Sequence, residues 1–285
     1  MAYKTYLKSF KLISDSADTA FVIGQKMTCY NNIYPFKMFP IKGLYNLSFS
    51  PITIFCGSNG SGKSTLLNII AEKTNLSRRS VFNRSAFFKD YTDGCRYIGV
   101  IPENSAVLTG DDVSDYLLNM RALNNGIDIR REELFREYTE RKFTSHRFSG
   151  MADYENWKRS FDAKSKTKSR FVKEDLNPNI DMYSNGESAM RYYIENIGEN
   201  ALYLLDEPES SLSVSKQIEF KEFLENSARY FGCQFIIATH SPILLSLKDA
   251  LIYDMDSVPV QTKNWTEIEA IRTYYNFFKA HQSEF

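Results

Sequence analysis

The sequence has no long hydrophobic run: nowhere do the roughly 18 consecutive apolar residues of a membrane-crossing helix occur. Direct membrane insertion is therefore not expected. The opening Met1-Ala2-Tyr3-Lys4 leads into no apolar core of the kind a secretory signal carries. Cysteine is scarce as well. Cys29, Cys56, Cys95 and Cys233 are scattered, with no C-x-x-C pair and no histidine at metal-ligand spacing. That pattern excludes a disulfide framework and a zinc site, and leaves reduced, mostly buried thiols. Net charge is also missing. Lys plus Arg (35) balance Asp plus Glu (35), so overall charge says nothing about a polyanionic partner and only its distribution can. No internal repeat is visible, and aromatic residues at 14% are too plentiful for a disordered chain. These absences leave a soluble, cytoplasmic globular protein, long enough at 285 residues for one large domain or two small ones.

What is present centres on one stretch. The β-forming run Ile52-Thr53-Ile54-Phe55-Cys56 leads into Gly57-Ser58-Asn59-Gly60-Ser61-Gly62-Lys63-Ser64-Thr65, and Leu66 to Ala71 continues as a helix. Gly57, Gly62, Lys63 and Ser64 fill the fixed places of G-x-x-x-x-G-K-[ST]. Glycines let the backbone curl so that successive N–H groups face one anion, and the helix N-terminus adds its positive dipole end. Lys63 has the reach for β- and γ-phosphates, and the Ser64 hydroxyl suits Mg²⁺. A strand before the loop and a helix after it make this a nucleotide-binding loop rather than a mere Gly/Ser turn.

Two later strand ends add chemistry. Ala201-Leu202-Tyr203-Leu204-Leu205 reads as a buried strand, so Asp206 and Glu207 emerge at its C-terminal end, where ligands collect in open α/β sheets. There Asp206 would hold Mg²⁺ and Glu207 would orient or deprotonate an attacking water, although acidic strand ends are also common without function. Gln234 to Thr239 is a second buried strand, and it delivers His240 beside Asp206, where an imidazole can donate to a phosphate oxygen or to water.

The remaining chain reads as follows. Tyr3 to Ile13 alternates as a half-buried strand with Tyr6, Phe10 and Leu12 on one face, and Phe21-Val22-Ile23 is expected as a second strand after the polar turn 14–18. Pro35 and Pro40 bracket Phe36 to Phe39, expected to be extended, and Leu44 to Phe49 is another strand. Several short strands before the strand–loop–helix predict an antiparallel edge on a parallel sheet. Residues 74–94 show no period, Arg96 to Pro102 is a strand, and Asp111 to Ser114 opens helices through 147. From Met182 the chain becomes core-like again, with helices over 188–197 and 215–230, a strand over 249–254 and a C-terminal helix over 266–279.

The order of Gly57–Thr65, Ser184-Asn185-Gly186-Glu187, Leu205-Asp206-Glu207-Pro208, Ser210-Ser211-Leu212-Ser213 and Thr239-His240-Ser241-Pro242 resembles the ABC-type ATPase superfamily, in its soluble, non-transporter branch (AAA-family ATPases with an ABC-like domain). The likeness covers about 1–110 and 182–260 and is specific only in these motifs. It implies an α/β P-loop NTPase fold: a mostly parallel sheet with antiparallel N-terminal β-strands and a helical subdomain. Residues 1–110 with 182–285 would be the ATPase core, and 111–181 an inserted helical subdomain. It implies ATP and Mg²⁺ as cofactors, Glu207, His240 and Lys63 as catalytic residues, and Ser64 and Asp206 as metal ligands. Glu103 stands where the family commonly has an Mg²⁺-ligating glutamine. Ser184 and Gly186 occupy the signature place that caps the γ-phosphate held by a partner subunit, so an ATP-dependent homodimer is implied; read by itself this stretch is a helix cap. Asn185 and Glu187 depart from the usual signature, and Ser213 replaces the usual aspartate. Tyr34, Phe36 and Phe39 are the candidates for stacking on adenine.

The segment from Arg141 to Lys173 holds ten Lys/Arg and three acids, with Trp157, Phe161 and Phe171 interleaved. Three readings stay open for it: a nucleic-acid surface, a partner (effector) protein's contact, or a solvated helical face. The resemblance implies an ATP hydrolase acting as a dimerisation switch in DNA maintenance or phage defence. Its rivals are the cassette subunit of a membrane transporter, a nucleotide-gated scaffold with little turnover, and a phosphotransferase.

Overall fold

The computed structural model describes residues 3–25, 30, 32–144, 150–180 and 184–285. Cys29, Met182 and residues 145–149 of the basic stretch lie outside them. The chain divides into two compact units, one of 1–114 with 185–285 and one of 115–184.

The first unit begins with β1 (Leu7–Lys11) and α1 (Asp15–Gly24). The strand expected at Phe21–Ile23 is thus a helix. The polar run before it is helix-starting chemistry: Ser14 accepts from the Ala17 N–H, and Asp15 and Asp18 sit in the first turn. Phe36 to Phe39 is not extended either but a series of turns. The Asp18 carboxylate accepts from the Lys37 N–H (3.0 Å) and holds that residue at φ 65°, a tertiary tie that overrides the prolines' preference. Then come β2 (Asn46–Ser48), β3 (Ile52–Cys56), α2 (Lys63–Thr74), α3 (Phe88–Gly94) and β4 (Arg96–Gly99). α3 falls in the segment that showed no period; its Phe88 and Tyr91 are buried. β5 (Ala106–Thr109), too short to stand out in sequence, precedes α4 (Gly110–Phe143).

The second unit takes α4 from Asp115 onward, then α5 (Tyr154–Ser165) and α6 (Lys168–Asp175). Leu134, Tyr138, Ala163, Phe171 and Val172 form its small core. The charge excess counted along 141–173 is partly closed in space. Arg141 and Arg159 pair with Glu137, Arg159 also with Asp175, Lys166 with Asp162 and Glu174, and Arg170 with Glu174. Trp157 and Phe161 stack on each other at 5.7 Å on the exposed side of α5.

Back in the first unit follow α7 (Asn185–Asn196), β6 (Leu202–Asp206), α8 (Val214–Tyr230), β7 (Gln234–Thr239), α9 (Pro242–Leu245), β8 (Leu251–Asp254), β9 (Gln261–Thr262) and α10 (Glu269–Ala280). Six strands form a sheet in the order β5-β6-β7-β3-β8-β9, parallel except for β8–β9. β3 and β7 are buried along their whole length, as continuous apolar strands covered on both faces must be. α2 buries Leu66, Leu67, Ile69, Ile70 and Ala71 all round its axis, which makes it a core helix rather than a surface one.

The antiparallel strands are a separate sheet, β2-β1-β4, not an edge of the parallel one. Two side chains tie the sheets. Gln234, fully buried on β7, accepts from Tyr6 N and Leu7 N (both 2.8 Å) and donates to Leu7 O (2.9 Å) and Ser50 O (3.1 Å). The Tyr253 hydroxyl accepts from Ser48 N and donates to Ser48 O, each at 2.9 Å. The described cysteines Cys56, Cys95 and Cys233 are free and buried, and burial pushes the first two thiols up to about 12. Among the described residues no helix is long and apolar enough to cross a membrane.

Gln234→Leu keeps the volume but strands four backbone partners, among them the buried Leu7 N–H and the part-buried Tyr6 N–H. We expect a loss of about 3–5 kcal/mol in urea unfolding; a loss below about 1 kcal/mol would show that the two sheets do not depend on this amide.

Candidate functional site

The site forms where the parallel strands end. Cys56 pairs with Thr239 and Asp206 with Ala238, so the residues that follow, Gly57, Glu207 and His240, leave the sheet side by side. Glu207 N donates to Ala238 O at 2.9 Å, which carries the pairing one residue beyond the strand.

From β3 the loop turns tightly. A Cβ on Gly57 would lie 2.7 Å from Ser61 Oγ, and Gly62 takes φ 96°, so neither position accepts a side chain. Lys63 is buried, and its ammonium donates to Gly57 O (2.7 Å) and Ser58 O (3.0 Å). Among the described residues no carboxylate lies within ion-pair distance of it. Ser61 Oγ is buried without a partner. An uncompensated buried cation and an idle hydroxyl in a loop of this curvature fit a phosphate group. Asn59, Gly60, Ser61, Gly62, Lys63 and Glu207 line a cavity of about 380 Å³ there.

Ser64 Oγ donates to Asp206 Oδ1 at 2.9 Å. Burial, with Glu207 nearby, pushes the Asp206 carboxyl up to about 6, against the lowering bond from Ser64. A hydroxyl and a carboxylate oxygen brought together, with the charge held unfavourably, fit a small hard cation such as Mg²⁺. Ser64 and Asp206 also line a second cavity of about 500 Å³ with Tyr34, Asn68, Arg78 and Thr109.

Glu103 is not at the site. The stretch Arg96–Pro102 does not run into the parallel sheet: β4 pairs with β1 in the antiparallel one, and the chain then turns before β5 begins. In β5, Thr109 is the residue opposite Asp206, whereas Ala106 faces Tyr203, some ~10 Å back along the strand. Glu103 precedes even Ala106, and its neighbours Asn104 and Ser105 bond to Glu199 O and Leu202 N at the far end of β6. Thr109, Gly110 and Asp111 line the second cavity in its place. Of the three aromatics, Phe36 and Phe39 are buried in the core, while Tyr34 lines that cavity and donates to Thr65 Oγ1 at 2.9 Å.

Glu207 takes a left-handed φ of 46°, and its side chain is 37% exposed. The His240 ring, 55% exposed, brings Nδ1 to 3.8 Å from Glu207 Oε1 and 3.4 Å from Glu209 Oε1. Gly186, in the first turn of α7, faces Lys216 and Ser213, the latter being the N-cap of α8. Ser184 is the last residue of the second unit.

Residues 45–210 match the family model described as ABC transporter, which is more than half of the chain. The chain belongs to this family, the ABC-type ATPases. The matched stretch holds the phosphate loop, Asp206 and Glu207, and ends before His240. No curated protein sequence matches the chain. Similar solved structures include the SMC head domain from Thermotoga maritima, at 16% identity over 91% of this chain and 99% of that one, with a TM-score of 0.38. The Smc head domain bound to the C-terminal domain of ScpA, from Pyrococcus furiosus, matches at 13% identity over 97% and 99%, with a TM-score of 0.41. The cbiO1 component of the cbiONQ transporter complex from Clostridium perfringens matches at 18% over 84% and 90%, with a TM-score of 0.34. These likenesses carry no conclusion here.

In this ABC-type ATPase three site residues escaped the motif reading. Asp256 accepts from Ser58 N (2.7 Å) and Ser58 Oγ (2.8 Å), clamping the start of the phosphate loop. Its signal was available, since it follows a strand that pairs with β3 and therefore ends at the same edge. Glu209 stands two residues after Glu207, in the single position between the motifs Leu205–Pro208 and Ser210–Ser213. Arg78, which bonds Asn68 Oδ1 (2.8 Å) and lies over Phe82, belongs to a segment without a motif.

A carboxyl whose folded-state pKa is raised binds its proton more tightly folded than unfolded. Asp206 therefore lowers stability as pH rises from about 4 to about 6, and the deficit persists above that. In nucleotide-free protein with EDTA, Asp206→Asn should melt higher at pH 7.5, by an amount corresponding to about 2–3 kcal/mol, and match wild type near pH 4. Equal melting at both pH values would show that the carboxylate is not held unfavourably.

Proposed function

We propose that the chain hydrolyses ATP and is switched by ATP-dependent homodimerisation. The observation that carries this reading is the Ser64–Asp206 pair at 2.9 Å beside the buried Lys63, with Glu207 and His240 at the same sheet edge. Lys63 and the N–H groups of residues 58–65 would bind the β- and γ-phosphates, exchanging the two carbonyl acceptors of the ammonium for phosphate oxygens. Ser64 and Asp206 would hold Mg²⁺, which when bound offsets the negative charge on the phosphates. Glu207 orients the attacking water and takes its proton, since it is the carboxylate of the edge that is not engaged by Ser64. His240 donates to the γ-phosphate or to that water. Tyr34 is the aromatic we assign to the nucleotide's neighbourhood.

Glu207 and His240 are both partly open to solvent, so water exclusion must come from outside this half-site. In the proposed dimer, Ser184 and Gly186 of a second copy supply it by capping the γ-phosphate. ATP drives closure only because those contacts exist in the closed state alone. The setting that goes with this reading is DNA maintenance or phage defence beside an effector protein. Nucleic acid acting through 141–173 would raise the rate of ATP turnover in a salt-dependent way. Turnover unaffected by DNA and RNA at every salt concentration would leave a partner protein's contact or a solvated helical face as the reading of that surface.

Glu207→Gln should lower phosphate release roughly 100-fold or more. It should also accumulate a dimer in light scattering with ATP and Mg²⁺. A variant that stays monomeric and hydrolyses normally removes both the base assignment and the dimer. Phosphate release retained in Lys63→Ala would mark the chain as a nucleotide-gated scaffold whose turnover comes from a contaminant.

A further inference from the structure

Glu209 has no role in the reaction as described, yet it is the most deeply buried carboxylate of the site, its side chain only 5% exposed. It is brought there by the backbone. Glu207 in its left-handed conformation starts a tight turn, Pro208–Ser211, which sends the chain back under the end of β7. Glu209 Oε1 then meets three groups of β7 and the residue after it: Thr239 Oγ1 at 2.6 Å, His240 N at 3.0 Å and His240 Nδ1 at 3.4 Å. Oε2 is buried without a partner. Among the described residues no lysine or arginine lies within ion-pair distance of this carboxylate; His240 is its one ion-pair neighbour.

A buried carboxylate is costly unless its lone pairs and charge are answered. Here two N–H or O–H donors come from fixed positions, and the remaining neighbour is an imidazole. A carboxylate beside Nδ1 favours the tautomer that carries its proton on Nδ1, which leaves Nε2 on the far side of the ring. The support extends further. Thr239 Oγ1 accepts from Ser241 N (3.0 Å), and Ser241 Oγ donates to Gln217 Oε1 (2.7 Å), so the acceptor is anchored to α8.

We propose that Glu209 is a positioning residue: it fixes the orientation and tautomer of His240, so that Nε2 faces the γ-phosphate and the attacking water. This rests on the role given to His240 above. The competing explanation is that Glu209 merely ties the 208–211 turn to β7 through Thr239 and the His240 amide. Glu209→Gln separates the two, because it keeps an oxygen acceptor of the same shape and removes the nearer of the two carboxylates beside Nδ1, leaving Glu207 Oε1 at 3.8 Å in both proteins.

The experiment uses full-length protein with ¹⁵N-labelled histidine. The chain has only three histidines, and His240 is assigned by its loss in His240→Ala. In ATP-free wild type the ring should be protonated at Nδ1, and in Glu209→Gln the two tautomers should mix. Turnover in Glu209→Gln should fall roughly 10- to 100-fold, the range found for carboxylates that orient metal-ligating histidines, with ATP affinity within about twofold of wild type. In the His240→Ala background the same change should have no further effect on turnover. An unchanged tautomer in Glu209→Gln overturns the proposal whatever turnover does, and so does an equal loss with His240 absent. If His240→Ala alone turns over like wild type, the catalytic reading of His240 fails, and the ATP-free tautomer still decides whether Glu209 sets the ring. Melting curves of both variants verify that they are folded.

Discussion

The hydrogen-bonded register of three parallel strands is the constraint from which the site follows. With Cys56 opposite Thr239 and Asp206 opposite Ala238, the residue after each strand has almost no freedom in where it leaves the sheet. A slip of one residue would turn every side chain of the strand to the opposite face and remove either the loop or the carboxylates from the edge. The apolar continuity of β3, β6 and β7 protects that register. Both faces are covered, so a slipped strand would bury its polar ends instead. Gln234 extends the same logic to the second sheet, since one buried amide satisfies four main-chain groups that belong to β1 and the approach to β3.

Around this edge the charges are arranged so that the protein does not neutralise them itself. Among the described residues Lys63 has carbonyls and no carboxylate within ion-pair distance; Asp206 has a hydroxyl and no cation at that distance, and burial raises its carboxyl against the more distant charges of Lys63 and Arg78. An anion beside Lys63 and a divalent cation beside Asp206 would each answer one of the two groups. Asp256 contributes on the loop side: its carboxylate takes Ser58 N and Oγ, so the first turn of the loop is preorganised before any phosphate is present.

The parts legible in the sequence are those in which chemistry demands neighbouring residues. The phosphate loop, the paired Asp206 and Glu207 after an apolar strand, and His240 after another could each be read because strand, turn and functional group are contiguous. The parts that were not legible depend on residues far apart in the chain. Phe36 to Phe39 turns because Asp18 reaches Lys37, and nothing near the prolines announces it. α1 hid behind a polar run that served equally well as turn or N-cap. Glu103 failed for a topological reason: the strand before it belongs to the antiparallel sheet, so a spacing rule that expects a strand ending at the site follows the wrong strand. The charge count over 141–173 was incomplete for a related reason: Glu137, Glu174 and Asp175 answer part of it from outside the window in which it was counted.

The backbone at Glu207 links these levels. Its left-handed conformation is sparsely populated by residues with a side chain and is held by the turn that follows, in which Ser210 N donates to Glu207 O at 3.1 Å. Gly110, which follows β5, packs closely on the same turn: a Cβ there would lie 2.2 Å from Ser210 Oγ and 3.1 Å from Glu207 O, so that hydroxyl would have to move. One strained residue thus does two things at once. It leaves the Glu207 carboxylate standing out of the sheet edge toward solvent, and it drives Glu209 inward beneath His240. A carboxylate that faces solvent and a buried one that faces a histidine are opposite environments for the same functional group, and a single turn of the chain separates them. Any substitution that relaxes φ at Glu207, or adds bulk at Gly110, should therefore disturb both carboxylates together, whereas changes at either carboxylate alone leave the turn in place.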